Sequence, residues 1–270
     1  MNNDITFYIQ GWEPEGTPKA LICLVHGLGE HTGRYEHVGK ALNEAGYALF
    51  GFDLRGNGQS GGPRGHFPSL DIVLSDIHQF IGLQKQNFPD TPIFLYGHSL
   101  GGLLVLAYAI KHENKLNGIV TTGAALHTAL TEQRVKIALI NMLWSLFPTL
   151  TLPSGLNPAD ISSDPDVVQR YKDDPLVHNK ASLGFGKAGL NAIDLCFARA
   201  RDVTVPLLNM HGTGDKLNYF DGTEEFSKLV SETNNDVTLK LWDGLHHELH
   251  NEPEQADVFI FMVEWLDKHL

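Results

Sequence analysis

The chain has 270 residues, of which 42% are hydrophobic and 19% charged, and carries a formal net charge of −12 at pH 7. That composition suits one large α/β domain, or one domain with an insertion, and excludes a disordered chain. The negative charge opposes nucleic acid or anionic lipid as an electrostatic partner.

Taken in chain order, the N-terminal MNNDITFYIQ lacks the basic start and apolar stretch of a secretory leader, so a cytoplasmic protein is expected. ALICLV (20–25) is a short apolar run ending at His26-Gly27 and reads as a buried strand. Its Cys23, together with Cys196, forms no disulfide framework pattern, which agrees with a reducing compartment. Residues 35–45 read as a helix stopped by Gly46, and YALFGFD (47–53) as the next strand, closed by the loop LRGNGQSGG. Ser69 is placed to cap a helix whose Leu70, Val73, Leu74, Ile77, Phe80 and Ile81 fall on one face. IFLY (93–96) is a third strand, and LGGLLVLAYAIKH the helix leaving it. GIVTTG (118–123), PLLNMHG (206–212) and VTLKLWDG (237–244) complete the strand set, and a helix over about 254–269 closes the chain. Strands that alternate with helices build a parallel sheet. No uninterrupted apolar run approaches the roughly 20 residues that span a bilayer.

The alternation breaks between 127 and 200. IALINMLWSLFPTLTLP (137–153) is almost wholly apolar, and LNPADISSDPDVVQRYKDDPLV is rich in Pro and Asp. A structureless loop of that length does not fit a compact domain, so a helical insertion over the sheet is expected, where a lid would sit. The domain reading is a core of 1–126 and 201–270 with a cap at 127–200. Ile140, Leu143, Trp144 and Phe147 are spaced as one helical stripe that lines a tunnel under the cap or touches a lipid surface, besides packing the cap on the core. With a net negative chain, such transient contact with a membrane is hydrophobic and insensitive to salt.

GHSLG fits G-x-S-x-G and lies between a buried strand and a helix. In that context the serine sits on a strained turn that lifts its hydroxyl above the sheet, and small flanking residues relieve the crowding. Ser99 is therefore the candidate nucleophile. A serine hydroxyl needs a base, usually histidine, oriented by an acid, and on this kind of sheet they follow in the order Ser, Asp/Glu, His. Asp215, in HGTGD directly after a strand, is a better placed acid than Asp236 or Asp243. DGLHHELHNE supplies His246, His247 and His250 after the last strand; His250 leads toward the final helix, and spacing does not separate the other two. An oxyanion needs preorganised donors. They are expected from the N–H of Leu100, next to the nucleophile, and the N–H of Leu28 between two glycines. His26 reads as a brace for that loop. No cofactor or metal is called for. HHELH is not H-E-x-x-H, because His247-Glu248 is followed by one residue before His250, and LRGNGQSGG lacks the lysine and serine of a phosphate-binding loop.

HGLGEH, DLRGNGQSGGPRG, GHSLGG, DPLV, HGTGD and GLHHELHNE, in this order, resemble the monoacylglycerol lipase and lysophospholipase group of α/β-hydrolases, and the run from TLP to DPLV is similar to that family's cap. The resemblance spans nearly the whole chain. It implies an α/β-hydrolase fold with a mostly parallel sheet and a helical cap. It implies a serine carboxylester hydrolase, acting on monoacylglycerol or another small lipid ester, with lysophospholipase or general carboxylesterase as alternatives. It also resolves the histidine, placing the base at His247 and His246 on a variable position. Asp215 matches the acid, and Leu28 and Leu100 match the oxyanion positions. Asn57 departs from the histidine the family usually carries in R-G-H-G, and the cap residues that would recognise the alcohol do not align.

Overall fold

The computed structural model describes residues 5–112, 116–129 and 131–270. Strand β1 (Ile9–Trp12) precedes β2 (Leu21–Val25), α1 (Glu36–Glu44), β3 (Ala48–Phe52), α2 (Leu70–Asn87), β4 (Ile93–His98), α3 (Leu100–Lys111) and β5 (Gly118–Thr122). After an intervening segment come β8 (Leu207–Gly212), α7 (Phe220–Ser231), β9 (Val237–Trp242) and α8 (Gln255–Asp267). The seven strands are ordered β1-β3-β2-β4-β5-β8-β9 and all neighbours are parallel except β1, which pairs antiparallel with β3.

The apolar runs are buried on both faces because helices cover both faces, as parallel crossovers require. Successive side chains of a strand point to opposite faces. Leu21, Cys23 and Val25 of β2 accordingly join one core with α2, α3 and α7, while Ile22 and Leu24 join another with α1 and α8. Strand β4 divides the same way, Ile93 and Leu95 against Phe94 and Tyr96. Ser69 caps α2 as its position suggested, accepting the Ile72 N–H at 3.3 Å.

Two elements of the core lie outside the sequence reading. β1 is a four-residue edge strand that stays half exposed, so it carries no apolar run to mark it. α7 was passed over between two strands, although a parallel β8–β9 pair demands a crossover.

The segment between β5 and β8 contains α4 (Arg134–Leu143), β6 (Thr151–Pro153), α5 (Pro165–Asp173), β7 (Lys180–Ser182) and α6 (Leu183–Ala198), with β6 and β7 paired antiparallel. Its parts are held differently. α6 buries Ala188, Ala192 and Cys196 in the same core as α3. α5 closes a small core of Ile161, Val167, Val168 and Tyr171. Near it, His31 Nε2 meets Asp174 Oδ2 at 2.8 Å, and the His178 N–H donates to Gly29 O at 2.9 Å.

The expected stripe of Ile140, Leu143, Trp144 and Phe147 is not one helical face. Ile140 is buried against Gly186 of α6, and Leu143 and Trp144 are half-buried. α4 ends at Leu143, and Phe147 falls in a turn before Pro148, 55% exposed. A residue before proline is pushed out of helical conformation, and proline offers no N–H to continue the ladder. The exposed apolar residues of α4 and this turn are instead Val135, Leu139, Met142 and Leu146, with Phe147 beside them. No helix of the described residues is long and apolar enough to cross a membrane.

Candidate active site

The chain steps from β2 outward to β3, then returns past β2 to β4, so the connections diverge at the carboxyl ends of β2 and β4. Such a switch point is where an open α/β sheet forms its crevice. GHSLG emerges there. Ser99 has φ 55° and ψ −118° and is the non-glycine residue with positive φ among the described residues. The turn persists because its surroundings fix it. The Ser99 N–H donates to Thr122 O at 2.8 Å, and Ser99 O accepts from Ala125 N at 3.1 Å. A side chain at Gly97 would strike the Gly101 carbonyl, and one at Gly101 would strike the Val25 carbonyl, so both glycines are demanded by close backbone approach. Leu100 is the first residue of α3, and its N–H is among those a helix start leaves without an intrahelical partner.

The loop expected to supply the second donor follows β2. The Gly27 N–H donates to Glu30 Oε1 at 2.6 Å, and a Cβ on Gly27 would lie 3.3 Å from Ser99 Cβ, which puts the loop beside the Ser99 turn. Leu28 follows Gly27 in that turn. His26 braces it: Nε2 accepts the Leu54 N–H at 2.9 Å, which leaves Nδ1 to donate to Gly27 O at 2.8 Å. Glu30 is itself locked, taking Tyr35 Oη at 2.8 Å and Arg34 at 2.7 Å, and Arg34 makes a two-pronged pair with Glu248 at 2.7 Å on each arm. The glycine-rich loop after β3 is folded around a carboxylate of its own: Asp53 accepts from Thr32 N, Thr32 Oγ1 and Gln59 N at 2.7–2.8 Å. Asn57 is buried and donates to Arg55 O at 3.0 Å, a bracing role.

At the end of β8, Asp215 Oδ1 accepts the N–H groups of Leu217 (2.8 Å) and Asn218 (3.0 Å), while Oδ2 faces His247 Nδ1 at 2.7 Å. Both side chains are buried. Burial raises the Asp215 carboxyl, but His247 and then His211 outweigh it and hold it well below the usual carboxylate range. Burial likewise lowers the His247 imidazole, and the Asp215 charge more than compensates, so its pKa is raised above 6.5. The residues of HHELH part company. His246 donates its N–H to Glu252, Glu248 faces Arg34, and His250 lies in the core stacked on Tyr35 at 4.7 Å. Asp236 pairs with His269 and Asp243 accepts from Thr213, both away from His247.

The Hydrolase_4 family, described as serine aminopeptidase S33, matches residues 16–254. A monoacylglycerol lipase of Mycolicibacterium smegmatis is 34% identical across 96% of this chain and 92% of that protein. The chain belongs to the monoacylglycerol lipase family of α/β-hydrolases. In structure it resembles the Paleococcus ferrophilus monoacylglycerol lipase with a TM-score of 0.90, at 32% identity over 98% of this chain and 100% of that one. An uncharacterized abhydrolase domain-containing protein of Dictyostelium discoideum is 38% identical over 98% of this chain, which spans 28% of that protein's length. Family membership makes the chain a serine hydrolase.

Several residues of this family member's site were missed from sequence. His211 Nε2 lies 3.1 Å from both Asp215 Oδ2 and Asn218 O, with Thr223 Oγ1 at 2.8 Å from Nδ1. His98 packs on His247 with ring centroids 4.7 Å apart, and burial followed by the charge of His247 drives its pKa to about 4. A histidine at the carboxyl end of each strand, His98 last in β4 and His211 next to last in β8, was the signal available. The Glu30–Arg34–Glu248 cluster offered none, since Glu248 is remote in sequence.

Proposed function

We propose that this chain hydrolyses monoacylglycerols or similar single-chain esters through an acyl-enzyme on Ser99. The observation that carries the reading is the His247–Asp215 pair at 2.7 Å, at the sheet edge where Ser99 stands on its positive-φ turn. Ser99 Oγ attacks the ester carbonyl while His247 Nε2 takes its proton. Asp215 keeps Nδ1 protonated and stabilises the imidazolium. The oxyanion is received by the N–H groups of Leu28 and Leu100; one such donor is worth about 3–4 kcal/mol of barrier. Collapse expels the glycerol alkoxide, which His247 protonates, and a water activated by His247 then releases the fatty acid. The apolar run 137–153 of the insertion and the relatives named for monoacylglycerol favour a lipid ester over a peptide. Assaying purified protein on monoacylglycerols of graded chain length, lysophosphatidylcholine, p-nitrophenyl esters and an aminoacyl anilide tests this. Monoacylglycerol should have the highest kcat/KM; a higher value for the lysophospholipid or the anilide contradicts it.

Residues 127–200 serve as the cap. Within them α6 and the α5 region are the anchored part, supported by the core packing of Ala188, Ala192 and Cys196 and by the His31–Asp174 pair. α4 is the outward part, and Val135 (77% exposed), Met142 (62%) and Leu146 (70%) form its lipid-touching face. The face is apolar on a chain of net charge −12, so binding to zwitterionic vesicles should persist from 0.1 to 1 M salt. Met142→Glu with Leu146→Glu should weaken vesicle binding by at least about a hundredfold in co-sedimentation, since each buried apolar side chain is worth about 1.5–3 kcal/mol and about 1.4 kcal/mol is tenfold. Binding that salt abolishes would contradict a hydrophobic contact.

A further inference from the structure

The loop that carries Asp215 also reaches the nucleophile. Asn218 Nδ2 lies 3.4 Å from Ser99 Oγ and donates to Gly123 O at 2.7 Å. Its backbone N–H is bound to Asp215 Oδ1 at 3.0 Å, and its carbonyl accepts from His211 Nε2 at 3.1 Å. The residue is buried and pairs with Thr128, at the root of the segment over the sheet, through an isolated β-bridge. The acid, the strand end and the cap root hold the backbone of Asn218, and Gly123 O holds its amide, which keeps Nδ2 facing Ser99.

We propose that Asn218 is a further catalytic residue: its amide donates to Ser99 Oγ, directs the hydroxyl hydrogen to His247, and stabilises Oγ as it leaves the acyl group. This rests on Ser99 being the nucleophile. A hydroxyl has one hydrogen and two lone pairs. With one lone pair engaged by Asn218, the hydrogen is turned toward the base and the second lone pair remains for attack. In the resting enzyme the contact is long and weak. It gains strength when Oγ gathers negative charge, because hydrogen bonds to an anionic acceptor are shorter and stronger, and catalysis counts only what is stronger in the transition state.

Deacylation is where that charge is greatest. Water adds to the acyl carbon as His247 accepts its proton, giving a tetrahedral intermediate. The C–Oγ bond then breaks, its electron pair goes to Oγ, and His247 returns the proton there as the fatty acid departs. The Asn218 N–H faces the leaving oxygen throughout. Its removal therefore slows this step more than acylation of an activated ester, whose own leaving group needs no such help.

Rapid mixing with a p-nitrophenyl ester separates the two steps. Asn218→Ala removes both amide hydrogens. Asn218→Thr keeps a polar side chain of closer bulk but carries its hydroxyl on Cβ, too far back to reach Ser99, so it removes the proposed contact while opening less space than alanine does. In both variants the steady-state rate after the burst should fall roughly 10–30-fold, with KM falling alongside kcat and the burst rate constant changing less than about threefold. Fluorophosphonate labelling of Ser99 and the melting temperature report a folded site. A folded Asn218→Thr with unchanged steady-state rate, or equal losses in burst and steady state, overturns the proposal. Turnover retained in Ser99→Ala would instead remove the reading beneath it.

Discussion

Ser99→Ala is expected to lower ester turnover by roughly 10⁴–10⁶-fold with the melting temperature held within a few degrees, because the proposed acyl-enzyme forms on the hydroxyl, which contributes little packing. Ser99→Gly should be as inactive and no less stable. The backbone at φ 55° and ψ −118° is a conformation that costs a residue with a Cβ about 1–3 kcal/mol, and glycine relieves it. Thermal melts of the three proteins beside single-substrate kinetics decide the matter, and turnover above 1% of the wild-type rate in either variant contradicts the assignment. The base is examined by pH. His247 must be neutral to accept the Ser99 proton, and its pKa is raised above the ordinary imidazole value because the Asp215 carboxylate outweighs burial. Activity is thus lost on the acid side, and the limb of kcat/KM against pH lies above 6.5, rising as His247 deprotonates. Asp215→Asn removes the largest contribution opposing burial, so the limb moves to lower pH, while kcat falls about 10³–10⁴-fold as the imidazole loses its orienting acceptor. A limb unmoved by this substitution would separate Asp215 from the base.

Much of this arrangement could be read from the chain because its signals are local. Buried parallel strands are continuous apolar runs, and ALICLV, IFLY and GIVTTG have few other readings. G-x-S-x-G gains meaning from the strand before it and the helix after it, both adjacent in sequence. Asp215 is marked by following a strand. What escaped depends on partners far away along the chain. β1 is defined by its pairing with β3, from Ile9↔Phe52 to Trp12↔Leu49, and not by its own pattern. The choice of His247 over His246 is a matter of which ring turns inward; composition and spacing were silent, and only likeness to a family separated them. The apolar run 137–153 shows the limit of periodicity: Ile140 and Phe147 share a helical spacing, yet α4 ends between them at Leu143 and they face different surroundings. Asn218 carries no pattern at all, since its importance lies in a loop folding back on Ser99.

Arg34→Ala is expected to be the most destabilising single change near the site, by about 3–5 kcal/mol at pH 7. The guanidinium lies between Glu30 and Glu248, all three side chains almost inaccessible, and stacks on Tyr171 at 4.7 Å. Removing it leaves two buried carboxylates without their counter-ion, which costs far more than the pair contributes when whole. The pH dependence provides a signature. Burial alone would raise Glu30, but Arg34 holds it down at about 2. A depressed carboxyl contributes stability that is present above its unfolded value and lost as pH falls toward 2. In Arg34→Ala the sign reverses: burial lifts the carboxyl above its unfolded value, so the variant is relatively better off below that value and worse as pH rises. The gap between the two proteins should therefore be widest near pH 7 and shrink at pH 4–5, measured by urea unfolding at each pH. A gap under 1 kcal/mol at pH 7, or one that widens in acid, contradicts the argument. Activity should fall as well, in the folded fraction, because Glu30 receives the Gly27 N–H at 2.6 Å and so sets the turn that presents Leu28. Replacing Arg34 with Met and both carboxylates with Gln removes every buried charge at once. It should recover part of the stability lost in Arg34→Ala without recovering the rate, since a neutral amide at position 30 makes a weaker bond to Gly27.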